Sequence, residues 1–142
     1  MQEATLIQQF KDFYSDFSNQ PLSLIDQLYD PKVRFLDPIH EVDGRDQLKQ
    51  YFSSVGADLV HCHFNFLDQI VDEKKAYFTW EMDYAHPRIK NGTILRLSGV
   101  TRIGFADQIL YHEDYYDMGA MLYRHLPLLG WTVRALNQRL AS

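Results

Sequence analysis

His112 and Asp114 stand two residues apart in the run His112-Glu113-Asp114-Tyr115-Tyr116-Asp117, a stretch that reads as a strand. Alternation along a strand puts both on one face, where an imidazole beside a carboxylate suits acid–base work. A histidine satisfied by a backbone carbonyl at a sheet edge is the competing reading. A second carboxylate, Asp37, sits immediately before Pro38. In that setting an aspartate commonly caps a turn by accepting backbone N–H bonds. A third group, His61-Cys62-His63, would hold its two imidazoles about 7 Å apart on one strand face, a workable spacing for a metal. No third ligand is evident, so no metal is expected there, and Cys62 reads as a small buried hydrophobe. There is no glycine-rich phosphate loop, nucleophile elbow or zinc signature.

The elements that would position these residues follow from hydrophobic spacing. Leu6, Ile7, Phe10, Phe13, Tyr14 and Phe17 recur at three- and four-residue steps, predicting an amphipathic helix. A second helix is expected from Pro21 through Leu28, broken by Asp30-Pro31. Val33–Leu36 reads as a short strand. A third helix is expected from a cap at Asp43 to Gly56, burying Leu48, Tyr51, Phe52 and Val55. The period then changes to two, predicting strands at 61–70, 76–86, 93–103 and 108–116, with Asn91-Gly92 as a turn signal. A short helix after Asp117 and a last one over Trp131–Leu140 complete the reading.

Helices followed by a meander give the α+β class. The expected architecture is a cone-shaped, curved antiparallel sheet of four long strands plus a short one. Three N-terminal helices pack on its concave side, and a helical tail ends the single domain, 1–142. Alternation sorts Phe78, Trp80, Met82 and Tyr84 from Tyr77, Thr79, Glu81 and Asp83, and the apolar set is the simpler interior.

The 142 residues are 46% hydrophobic and 14% aromatic, which argues against disorder, and the net charge is −5. Arg124, Arg134 and Arg139 make the tail from Met118 basic and leave the body acidic, a poor partner for nucleic acid. One cysteine fits a reducing compartment, and no signal peptide or membrane span is read, so a cytoplasmic protein without membrane insertion is expected.

The stretch Leu28–Leu48, LYDPKVRFLDPIHEVDGRDQL, together with HEDYYD at 112–117, resembles the NTF2-like superfamily in its SnoaL-like and ketosteroid-isomerase-like branch. Proton transfer between carbons needs a short carboxylate beside an apolar pocket, where partial desolvation raises its basicity. The resemblance implies that role for Asp37. It also implies a helix-1 tyrosine, Tyr14, as donor to a developing oxyanion, with His112 and Asp114 as helpers. The family's second donor, an aspartic acid on a strand, falls on or near Gly99. An epoxide-hydrolase branch of the same superfamily pairs two strand carboxylates through an arginine; here those positions are Asp83, Asp114 and Glu81, so that chemistry is not expected. The implied pocket is lined by Phe35, Phe52, Phe64, Trp80, Met82, Leu97 and Gly99. It would take a small, largely apolar molecule, for isomerase- or hydratase-like chemistry without a cofactor, or for binding alone in a non-catalytic or dimerising module. A homodimer is implied as well.

Overall fold

The computed structural model describes residues 2–88, 90–117 and 138–140. Helix α1 (Gln2–Ser15) is followed by single 3-10 turns at Phe17–Asn19 and Leu22–Leu24 and a one-turn helix α2 (Ile25–Leu28). Strands β1 (Tyr29–Leu36) and β2 (Glu41–Asp43) lead into helix α3 (Arg45–Asp58). The long strands β3 (His61–Asp72), β4 (Lys75–Ala85), β5 (Leu95–Phe105) and β6 (Ile109–Tyr116) follow.

All six strands form one curved, open sheet in the order β2-β1-β6-β5-β4-β3. The β3 to β6 meander is antiparallel throughout, but β1 runs parallel to β6, so the sheet is mixed rather than antiparallel. Two further expectations need correction. The short strand expected from Val33 starts earlier, at Tyr29, so Asp30-Pro31, beyond the end of α2, lies inside β1, where a register shift between Tyr29 and Arg34 accommodates a proline that has no N–H to donate. The second helix shrinks to the 3-10 turn and α2, because Pro21 and Leu24 bring no side-chain cap to it.

Helix α3 starts one residue later than its acidic neighbour suggests. Asp43 belongs to β2, and Gly44 is the N-cap at φ +92°, a conformation that favours glycine. Its N–H donates to Val33 O, which ties the helix start to β1. Gly56 does not end α3, which runs on to Asp58. Asp26 on α2 accepts from Lys49 and pairs with Arg45, clamping α2 to α3; the Lys49 hydrogen bond holds its carboxyl below the usual carboxylate range.

The core lies between α1, α3 and one face of the sheet. Phe10 stacks on Phe78 at 4.9 Å, and Leu6, Ile7, Phe13 and Tyr14 are buried beside it. Phe78, Trp80, Met82 and Tyr84 are all buried, as the apolar set on β4 requires. Glu81 and Asp83 face the other way and pair with Arg96. A bulge between Phe66 and Asp68 breaks the β3–β4 register and leaves Leu67 exposed, bending the edge strand. The tail helices expected after Asp117 lie outside the described residues, except that Gln138–Leu140 is helical.

Candidate active site

The parallel pairing of β1 with β6 places Phe35 opposite His112 and Leu36 opposite Glu113. Asp37, just beyond the end of β1, and Asp114, within β6, therefore lie at the same end of this strand pair. Both line one cavity of about 180 Å³ between the sheet, α1 and α3. Its walls include Tyr14, Phe35, Tyr51, Phe52, Phe64, Trp80, Met82 and Tyr116, and among the described residues no lysine or arginine lines it. An apolar cavity of roughly 150 Å³ holds one benzene ring, whereas drug-sized guests occupy roughly 300–1,000 Å³. This one is close in volume to the single-ring case and below the drug-sized range.

Asp37 is turn-forming and cavity-lining at once. Its side chain is only 3% exposed. Oδ1 accepts the backbone N–H groups of Ile39 (2.8 Å) and His40 (2.7 Å), the turn that an aspartate before proline predicts. Oδ2 accepts the hydroxyl of Tyr51 from α3. Burial, then the hydrogen bond to Asp37, push the Tyr51 hydroxyl far above its ordinary range, so it stays a donor. His40, at the exposed rim, lies 3.5 Å from Oδ1.

Asp114 is held differently. Its Oδ1 accepts from Thr101 Oγ1 (2.6 Å) and is 2.8 Å from His112 Nε2. Thr101 in turn accepts the indole N–H of Trp80 at 2.8 Å. The chain continues on the far side of the imidazole: His112 Nδ1 lies 2.9 Å from the Tyr29 hydroxyl, itself 2.6 Å from the Tyr14 hydroxyl. An Asp114 carboxylate can only accept, so Thr101 and His112 Nε2 donate to it. The Tyr14 and Tyr29 hydroxyls are thus hydrogen-bonded to each other, and burial keeps both phenols protonated well above their ordinary values. Among the described residues, Oδ2 of Asp114 and the Tyr116 hydroxyl have no hydrogen-bond partner. Burial, with Asp37 and Asp114 adding to it, also raises Tyr116 far above its ordinary range.

The residues singled out in the sequence separate into three groups. Asp37, Tyr14, Asp114, Phe35, Phe52, Phe64, Trp80 and Met82 line the cavity. His112, 1% exposed, stands behind Asp114 and orients it. Leu97 and Gly99, expected as pocket residues, are not among those lining it: Leu97 is buried in the core, and Gly99 lies behind the Trp80 ring. Tyr51 and Tyr116 were read only as a helix stripe and a motif letter. The signal for Tyr116 was present, since it shares strand parity with His112 and Asp114.

Cys62 also lines the cavity, and burial pushes its thiol up to about 12. Near neutral pH almost none is thiolate, the reactive form. The native chain is expected to resist iodoacetamide while the denatured chain is alkylated within the same time, as read by intact mass. The histidine pair on β3 is engaged elsewhere. The two rings are 4.2 Å apart, His63 contacts Ser15 O and Asp16, and the described residues contain no cluster of three or more metal-ligating side chains. Asp83, on the outer face and bonded to Arg96, cannot meet Asp114, so no two-carboxylate epoxide site forms.

A curved sheet and its helices enclosing an aromatic cavity define the NTF2-like fold. The chain belongs to the SnoaL-like domain family, whose model matches residues 10–113. Among solved structures it is similar to an NTF2-like protein of unknown function from Burkholderia pseudomallei, with 15% identity, TM-score 0.75, and 89% of this chain and 98% of that one covered. It is also similar to a hypothetical protein with a ketosteroid isomerase-like fold from Catenulispora acidiphila, in complex with trimethylamine (14% identity, TM-score 0.73, 84% and 91% covered). A SnoaL-like polyketide cyclase candidate from Jannaschia sp. CCS1 is comparable, with 14% identity, TM-score 0.74, and 87% and 91% covered. No functionally curated protein matches the chain. No described helix is long and apolar enough to cross a membrane.

Proposed function

We propose that the cavity binds a small, largely apolar molecule and moves a proton on it, in the manner of an isomerase, with Asp114 as the base. The observation that carries this reading is the open Oδ2 of Asp114 facing an aromatic cavity, while its other oxygen is fixed by Thr101 and His112. Sequence reasoning gave the base to Asp37. Its hydrogen bonds favour a different part, because Oδ1 serves two amides and Oδ2 serves Tyr51, so neither oxygen is open to a guest. In the proposed step a C–H proton beside a carbonyl passes to Asp114 Oδ2. The electron pair moves onto the carbonyl oxygen, which accepts from the Tyr116 hydroxyl. The same proton then returns to another carbon of the conjugated system.

The test is exchange in D₂O. Single-ring ketones and enones incubated with the protein should gain deuterium next to the carbonyl faster than in buffer, as followed by proton NMR. Saturable binding without exchange would instead favour a non-catalytic receptor, the reading supported by the hydrogen bond that already engages Tyr14 with Tyr29. Pairing of two copies through the outer sheet face is part of the same proposal; Ile70, Tyr77, Leu110 and Tyr115 are exposed.

A further inference from the structure

We propose that the cavity takes its ligand as a small organic cation, a protonated amine or quaternary ammonium of about one ring in size. The inference rests on the reading above in one respect, that both carboxylates face the bound molecule.

The charge inventory points this way. Asp37 and Asp114 enter the same largely apolar space, and apart from the neighbouring histidines the groups that bond to them are uncharged: two backbone amides and Tyr51 for one, Thr101 for the other. Among the described residues, the fixed cations near this end of the molecule are committed elsewhere. Arg34 pairs with Glu41 and Asp43, Arg45 and Lys49 with Asp26, and Arg96 with Glu81 and Asp83, while Arg102 lies over the Tyr111 ring. His40 and His112 are the titratable nitrogens beside the two carboxylates, and neither carries a permanent charge. A buried carboxylate without a countercharge is costly, and two in one cavity repel each other. A neutral guest leaves that cost in place and an anionic guest adds to it. A cationic guest offsets it.

The walls fit the same guest. Phe35, Phe52, Phe64 and Trp80 present aromatic surface to the cavity. Ring faces carry the negative side of the quadrupole, and aromatic enclosures recognise ammonium groups by that means. The apolar part of the ligand packs on the same surfaces. The volume of about 180 Å³ admits a benzylammonium-sized guest.

The experiment compares three isosteric probes, benzylammonium, benzyl alcohol and benzoate, by calorimetric titration of the full chain near neutral pH. About 0.5 M salt screens the general attraction of an acidic protein for cations. Benzylammonium is expected to bind roughly tenfold or more tightly than the alcohol, with benzoate weakest. In the double variant Asp37→Asn/Asp114→Asn, checked for folding by circular dichroism, the ammonium-to-alcohol ratio should fall towards one. Tetramethylammonium, read by tryptophan fluorescence, provides a cation that cannot lose its charge, and it should compete with benzylammonium. Equal or tighter binding of the alcohol, a ratio unchanged in the double variant, or no binding of any probe would overturn the proposal. Ketone exchange with alcohol-like selectivity would overturn the cation assignment while leaving proton transfer intact. Cation selectivity without exchange would do the reverse.

Discussion

Asp114→Asn is expected to slow carbon–deuterium exchange by about a hundredfold to ten-thousandfold, the range that a positioned general base contributes. The amide has the size of the carboxylate and keeps an oxygen that can accept from Thr101 and His112, so the core around it should survive. What it removes is the basic lone pair at the open end. A thermal midpoint within a few degrees of the parent, alongside lost exchange, would separate chemistry from folding. Asp37→Asn is the informative partner. It retains the oxygen that organises the turn over Ile39 and His40 and loses only an acceptor for Tyr51, so its exchange should fall less. The opposite ranking, with Asp37→Asn the more damaging, would return the base to Asp37.

Gly99→Ala is expected to destabilise the protein by about 3 kcal/mol, or roughly 10 °C in Tm, through overpacking. A Cβ at that position would lie 2.4 and 2.5 Å from two Trp80 ring carbons and 2.7 Å from the backbone oxygen of Tyr115. Neither neighbour can retreat cheaply. The carbonyl belongs to β6, and Trp80, 1% exposed, is anchored through its N–H to Thr101. The ring's open direction is the cavity, so the variant should also lose affinity for benzylammonium. Gly56→Ala is the matched control, because nothing lies within 4 Å of its Cβ and alanine favours the interior of α3. Urea titrations of the two should diverge, and equal midpoints would contradict the close approach of Trp80.

The same contact explains a departure that the sequence displayed without a reason. Where the resemblance implies an acidic donor, the chain has Gly99, because the Trp80 indole occupies that space. The exchange of a donor for a large ring also helps to make the cavity small.

Strand faces were legible because alternation is a local signal: Trp80 and Met82 point inward and Glu81 and Asp83 outward, as their parity requires. The parallel β1–β6 pairing was not, since nothing in either segment records a partner so distant in the chain. Nor was β2, whose three residues are too few to show a period. Asp37 illustrates a third case. The sequence supports a turn cap and a pocket carboxylate at this position, and its two oxygens serve both. The His112–Tyr29–Tyr14 chain was equally hidden, because it depends on atoms that converge only when separate elements pack.

The pairing of β1 with β6 also sets a timetable. Every other long-strand contact in the sheet joins neighbours in sequence, which a growing chain can form as it emerges. The two carboxylates meet only when the last of these strands closes back on the first, the step with the largest loop to shut. A nascent chain would thus carry a nearly complete sheet and no site, and binding would switch on in one event at the end of assembly.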